Sequence, residues 1–250
     1  WSNDSATSRF TPEGHQEQYI AFVKSLTSKP VVGVGRYTSP DAMVSAVRRG
    51  VLDLIGAARP SIADPFLPDK IRQGRLGAIR ECIGCNICVA TDPRGLPIRC
   101  TQNPTMGEEW RRGWHLERIA PASKPADVMV IGAGPAGLEA ARALGQRGHR
   151  VQLLDARPEV GGRVTREALL PGLGPWRRVV EWRRGEIAEL PGVEVFPASP
   201  MTAQDVLESG ARQVIVATGA TWRRDGRGRS NGFAVAGHEH PDVFTPDDVL

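Results

Sequence analysis

Short apolar runs rich in β-branched residues alternate along this chain with longer stretches in which apolar residues recur every three or four positions. Pro30-Val-Val-Gly-Val-Gly-Arg36 and Val51-Leu-Asp-Leu-Ile-Gly-Ala57 are runs of the first kind and predict strands. Between them, Ser39, Pro40 and Asp41 read as an N-cap, a first-turn proline and a first-turn acid, which predicts a helix to about Arg49 closed by Gly50. Strand, helix, strand at this spacing predicts a βαβ unit with parallel strands, and residues 16–26 read as a helix ahead of it. Farther on, Asp127-Val-Met-Val-Ile131 predicts a strand, residues 135–146 an alanine-rich helix closed by Gly148, and Val151-Gln-Leu-Leu-Asp155 the next strand. Val193-Glu-Val-Phe196 and Gln213-Val-Ile-Val-Ala217 complete the predicted strands, with a short helix at 205–208 between them and a Gly/Arg-rich loop at 222–232.

The pattern divides the chain into residues 1–77, a cysteine-bearing stretch at 78–120, and residues 121–250 after the linker Pro121-Ala-Ser-Lys-Pro125. A closed eightfold βα barrel takes roughly 250 residues on its own. Two strands and two or three helices before residue 78 therefore predict the closing part of such a barrel, its open faces completed by earlier sequence or another chain. The third segment predicts a separate α/β domain. With 250 residues the chain can bury a core without cross-links. No stretch approaches the roughly 20 apolar residues of a membrane span. No secretory or transit leader opens the sequence, and its first residue, Trp1, implies processing or a truncated start; the expectation is a cytoplasmic protein. The formal charge of +4 comes mostly from scattered arginines placed near Asp or Glu, and with no nucleic-acid motif this argues against a nucleic-acid partner.

The sharpest chemical signal is Cys82-Ile-Gly-Cys85-Asn-Ile-Cys88 followed at a distance by Cys100. Three thiolates two residues apart with a remote fourth is a spacing that holds a 4Fe–4S cluster; a zinc site or a pair of disulfides fits it less well. Gly84 and Gly95 are expected to let backbone amides approach the sulfurs. Gly132-Ala-Gly134-Pro-Ala136-Gly137 follows a predicted strand, opens a predicted helix, and is followed by Asp155 at the end of the next strand, as dinucleotide binding demands. The glycines would admit a pyrophosphate to the helix N-terminus, and Asp155 would accept from a ribose hydroxyl. Val214-Ile-Val-Ala-Thr218-Gly219 and the pair Gly161-Gly162, followed by Arg163, resemble the flavoprotein disulfide-reductase pattern, which implies FAD or its ADP portion rather than a lone NAD, while Arg157 leaves a phosphorylated ribose open. Gly35-Arg36 and Ala58-Arg59 end successive parallel strands, where barrels build phosphate sites; either these arginines grip a phosphate monoester such as that of FMN, or they are ordinary surface ion pairs. His15, His149, His238 and His240 read as surface or loop residues. Trp110-Arg-Arg-Gly-Trp114-His115 is either a docking patch or packing against the cysteine segment. Asp4, beside Trp1, is either catalytic or a turn cap.

Residues 1–10, Val32-Gly-Val-Gly-Arg36, residues 58–67, the cysteine run, Cys100-Thr-Gln-Asn103 and residues 107–115 together resemble the trimethylamine dehydrogenase family, and more distantly 2,4-dienoyl-CoA reductase. That resemblance implies an α/β chain comprising the C-terminal part of an FMN-binding TIM barrel, a 4Fe–4S segment and an incomplete Rossmann-like FAD- or ADP-binding domain. It further implies oxidation of a small methylated amine to an iminium by hydride transfer to FMN, release of an aldehyde by water, and exit of single electrons through the cluster to an electron-transferring flavoprotein, in a homodimer. Carried over by position, Arg36 and Arg59 hold the FMN phosphate region, the four cysteines the cluster, and Gly132, Gly134, Gly137 and Asp155 the ADP moiety. Asp4 matches an active-site aspartate, and Trp1 one wall of an aromatic bowl that holds a cationic amine by cation–π attraction. A second bowl tryptophan of the family is replaced here by Asp92, which offers no π face, so a larger N-methylated substrate such as an N-methyl amino acid is expected. Two alternatives are an NADPH-dependent dienoyl or enoate reductase of the same architecture and a non-catalytic electron-transfer subunit similar to the small subunit of glutamate synthase.

Overall fold

A computed structural model describes residues 7–91, 94–115, 117–228 and 231–250. Its first part opens with two short helical pieces, α1 (Glu17–Ile20) and α2 (Val23–Leu26), where the sequence predicts one helix. Tyr19, Phe22 and Leu26 are all exposed there, so too little apolar surface is buried to hold a continuous helix. Strand β1 (Val32–Gly33) then pairs in parallel with β2 (Leu54–Ile55), Val32 opposite Leu54 and Gly33 opposite Ile55. Helix α3 (Pro40–Arg48) crosses between them, capped by the Ser39 hydroxyl, which accepts from the Ala42 amide at 3.3 Å, and followed by Gly50 in left-handed conformation at φ 70°. Both strands are shorter than predicted, because among the described residues β1 and β2 have only each other as ladder partners. Two helices that the sequence reading lacked follow, α4 (Ala58–Ala63) and α5 (Leu67–Arg72). Tyr37, Met43, Ala46, Leu52, Leu67 and Ile79 form the core of this part.

The cysteine stretch contributes α6 (Ile87–Thr91) and α7 (Glu109–Arg112). Beyond the linker lies a four-stranded parallel sheet of β3 (Asp127–Ile131), β4 (Arg150–Leu154), β5 (Val193–Phe196) and β6 (Val214–Val216) in the order β5-β4-β3-β6. This is the strand order in which a doubly wound nucleotide fold begins. Helix α8 (Pro135–Gln146) connects β3 to β4 over the span predicted; α9 (Arg163–Glu167) and α10 (Arg178–Ala188) precede β5, and α11 (Ala203–Glu208), with a Thr202–Asp205 capping box, precedes β6. Val128, Val130, Leu138, Val151, Leu153 and Ile187 lead its core, which is distinct from the first.

Helix α10 was not foreseen, and it joins the third part to the cysteine stretch. Trp182 Nε1 donates to the Ala78 carbonyl at 3.1 Å, and Arg183 donates to the side-chain oxygen of Gln102 at 3.1 Å and to its carbonyl at 3.2 Å. Arg178 donates to the Cys82 carbonyl at 3.2 Å and pairs with Glu81 at 2.7 Å.

Candidate cofactor sites

All four cysteine thiols are free and half-buried, and Cys85 acts electrostatically on Cys82, Cys88 and Cys100 alike. Burial pushes the Cys82 thiol up to about 11 and raises Cys88 and Cys100 as well, so metal ligation here must displace protons. Backbone amides turn toward the sulfurs: Gly84, at φ 65°, donates to Cys82 Sγ at 3.4 Å, and the amides of Gln102 and Asn103 approach Cys100. Cys85 Sγ and Thr101 Oγ1 lie 3.1 Å apart. A β-carbon on Gly95 would meet nothing within 4 Å, so what favours glycine there is its left-handed backbone at φ 62°. Among the described residues, no three His, Cys, Asp or Glu side chains are drawn together as around a single metal ion. The donor set, four thiols with amides aimed at sulfur, fits a thiolate-held iron–sulfur cluster.

A cavity of about 130 Å³ opens where β1 and β2 end, lined by Gly35, Arg36, Ala58 and Arg59 together with Thr7 and His15. Glu13 fixes the turn after Arg36, accepting from the amide and hydroxyl of Thr38 and from those of Ser39 at 2.8 and 2.9 Å. Four polar atoms of the lining are buried without a partner: Arg36 Nε, Thr7 Oγ1 and both ring nitrogens of His15. Such atoms are costly to bury unpaired. Burial lowers the Arg36 pKa, Glu13 offsets it, and Arg59 and Arg178 add like-charge repulsion. An anion would relieve all of this, which is the fit a phosphate monoester needs. His15 was read from sequence as a surface or loop residue; it does lie in a turn, and the structure adds that this turn forms part of the cavity wall. A lone histidine between a glycine and a glutamine carries no motif, so only the fold could reveal it.

In the third segment the glycine-rich turn is built as its spacing requires. A β-carbon on Gly137 would stand 1.8 Å from the Gly132 carbonyl oxygen, and one on Gly132, at φ 99°, would stand 2.4 Å from the Ala217 carbonyl oxygen. Gly134 caps α8, and Gly162 packs so closely on it that a β-carbon there would lie 2.8 Å from the Gly134 Cα. Thr218 and Gly219 follow β6 beside this turn, and Ala136 is in the first turn of α8. Asp155 is buried; it accepts from the Ala133 amide at 2.7 Å and the Arg157 amide at 2.9 Å, tying the glycine loop to the end of β4. Arg163 pairs with Glu167 at 2.5 Å and with Asp247.

Asp4, Trp1 and Asp92 lie outside the described residues. Arg59 is no surface ion pair, because its Nη1 donates to the Thr7 carbonyl and to Asn86 Oδ1. Trp110 does not pack on the cysteine segment: it is 84% exposed, and the stretch is held instead by His115 stacked on Phe66 and by Glu108 bound to Arg99, Arg111 and Arg112.

Residues 1–77 match the NADH:flavin oxidoreductase / NADH oxidase family and residues 130–183 an NAD(P)-binding Rossmann-like domain. The chain is 46% identical to dimethylamine dehydrogenase of Hyphomicrobium sp. (strain x), an alignment covering 100% of this chain and 35% of that one. Two solved structures are each 56% identical: 6-hydroxypseudooxynicotine amine oxidase from Pseudomonas geniculata N1, with a TM-score of 0.91 over 100% of this chain and 37% of that one, and histamine dehydrogenase from Rhizobium sp. 4-9, with a TM-score of 0.85 over 90% and 33%. The chain thus spans about a third of the length of these relatives.

Proposed function

This chain belongs to the trimethylamine dehydrogenase family of flavin-dependent oxidoreductases, and on that footing we propose that it works in oxidative N-demethylation of a methylated amine or N-methyl amino acid. The cavity with its unpartnered Arg36, His15 and Thr7 atoms, joined through Arg59 and Asn86 to the Cys82–Cys88 loop, is the observation that carries this reading. Bound there, FMN would take a hydride equivalent from the amine and a 4Fe–4S cluster would pass the electrons on singly to an electron-transferring flavoprotein. Arg36, Arg59 and His15 grip the phosphate; a planar guanidinium suits a phosphate monoester because it donates in a fork. Cys82, Cys85, Cys88 and Cys100 ligate the cluster, and the amides at Gly84, Gln102 and Asn103 stabilise negative charge on sulfur. The turn from Gly132 to Gly137 holds the pyrophosphate of ADP or FAD at the start of α8, where the helix dipole favours an anion. Trp1 and Asp4 bind and orient the amine, and Asp92, in place of an aromatic wall, favours a larger N-methylated substrate.

The match of residues 1–77 to a family described by NADH oxidation keeps an NADPH-dependent enoate reductase as a second reading; the same match argues against a subunit with no barrel. The deciding experiment is the anaerobic visible spectrum of the purified native protein, before and after a panel of methylated amines and, separately, NADPH. Bleaching by an amine is expected; bleaching by NADPH alone would replace the dehydrogenase with a reductase.

A further inference from the structure

Arg59 stands in two places at once. From α4 it lines the cavity, and its Nη1 donates to Asn86 Oδ1 at 2.6 Å. Asn86 lies between Cys85 and Cys88 in left-handed backbone, at φ 59°, and its carbonyl accepts from the Ala90 amide at 3.0 Å to start the helix that carries Cys88. A residue other than glycine keeps that conformation where its surroundings impose it, and asparagine tolerates it better than most. The second arginine of the cavity repeats the arrangement. Arg36 is itself left-handed at φ 57°, and its Nη1 lies 2.9 Å from where a β-carbon on Gly84 would stand. Each cavity arginine therefore rests on a residue of the Cys82–Cys88 loop, one by a hydrogen bond and one by contact with a glycine that leaves room for it.

Resting on the cofactor assignment above, we propose that Asn86 is a positioning residue whose side-chain oxygen sets Arg59 in the cavity, so that the fold of the cysteine loop and the grip on a phosphate monoester are linked. The linkage is reciprocal: whatever orders the loop tightens the grip, and an occupied cavity holds the loop. Neither arginine needs to move far for this. A guanidinium that loses one of its acceptors regains rotamer freedom, and a fork that is misaligned gives up one of its two parallel bonds to the anion.

The test uses the full-length native enzyme with its flavin and iron in place, and reads the 31P NMR resonance of the bound flavin phosphate, which reports the charges around that group and is blind to turnover. Asn86→Gly suits the left-handed backbone but removes the acceptor, whereas Asn86→Asp keeps one. The expected result is a shifted resonance in Asn86→Gly at unchanged iron content, and a return toward the wild-type position in Asn86→Asp. Stripping the iron from the wild-type enzyme with a chelator, at retained flavin, should also move the resonance, and this measurement decides alone should Asn86→Gly not hold iron. A glycine variant with full iron whose resonance superimposes on the wild type, or iron removal that leaves the resonance in place, overturns the proposal. A wild-type enzyme lacking iron or a bound phosphate monoester overturns the cofactor assignment instead, and that result is visible before any variant is made.

Discussion

Asp64 has no exposed surface and receives Lys70 Nζ at 2.7 Å, the Arg80 amide at 2.8 Å and the Phe66 amide at 3.0 Å. Lys70 is itself only 3% exposed, so removing the carboxylate charge leaves an ammonium stranded away from water, with Glu117 as its remaining anion. Asp64→Asn should lower stability by about 3–5 kcal/mol, read as a fall in the thermal midpoint. Gly137→Ala forces a β-carbon into the Gly132 carbonyl and should abolish adenine-nucleotide binding, measured by calorimetric titration with ADP. At this scale the sequence was uneven. The glycines and cysteines declared themselves because their chemistry is written in spacing; Asp64, His15 and Asn86 did not, because Asp64 is held by Lys70 and the Arg80 amide, Asn86 by Arg59 far along the chain, and His15 matters only through its place in the cavity wall, none of which is a spacing motif.

Elements were legible where punctuation agreed with periodicity. Helix α3, with its serine cap and first-turn proline, and helix α8, between Gly134 and Gly148, came out almost as read. Helix α10 escaped because its arginines blur the apolar stripe, yet Val179, Val180, Trp182, Arg183 and Ile187 are all buried. Burial of arginine by pairing and stacking leaves no hydrophobic signature. Helix α7 carries a pH dependence. Hydrogen bonds from Arg112, Arg99 and Arg111 hold the Glu108 carboxyl at about 2, against an ordinary 4.5. A carboxylate so depressed contributes fully above its unfolded value and loses that contribution as the pH falls from there toward the folded one. Glu108→Gln should therefore flatten the loss of stability between pH 4.5 and 2 in acid titrations followed by circular dichroism.

For the molecule as a whole, the two parallel sheets and their separate cores follow the strands read from the sequence, but the way the parts hold together was not legible. Trp182 is the centre of that junction: the guanidinium carbons of Arg80, Arg142 and Arg183 lie 4.8, 5.3 and 5.6 Å from its ring centroid, and these arginines come from two of the three segments. Arg183 adds an ion pair to Glu139 at 2.8 Å and both bonds to Gln102, two residues after Cys100. Arg183→Ala leaves the Gln102 oxygens buried and unpaired, so the iron of the proposed cluster should leave the variant to a chelator faster than it leaves the wild type, followed by loss of visible absorbance. The same junction bears on chimera building. The linker at 121–125 looks like a natural place to exchange nucleotide domains between relatives, yet a graft made there would bring a foreign α10 to face the native cysteine loops. A donor domain will dock only if it carries arginine, tryptophan and arginine at the positions of Arg178, Trp182 and Arg183, or if Glu81, Ala78 and Gln102 travel with it.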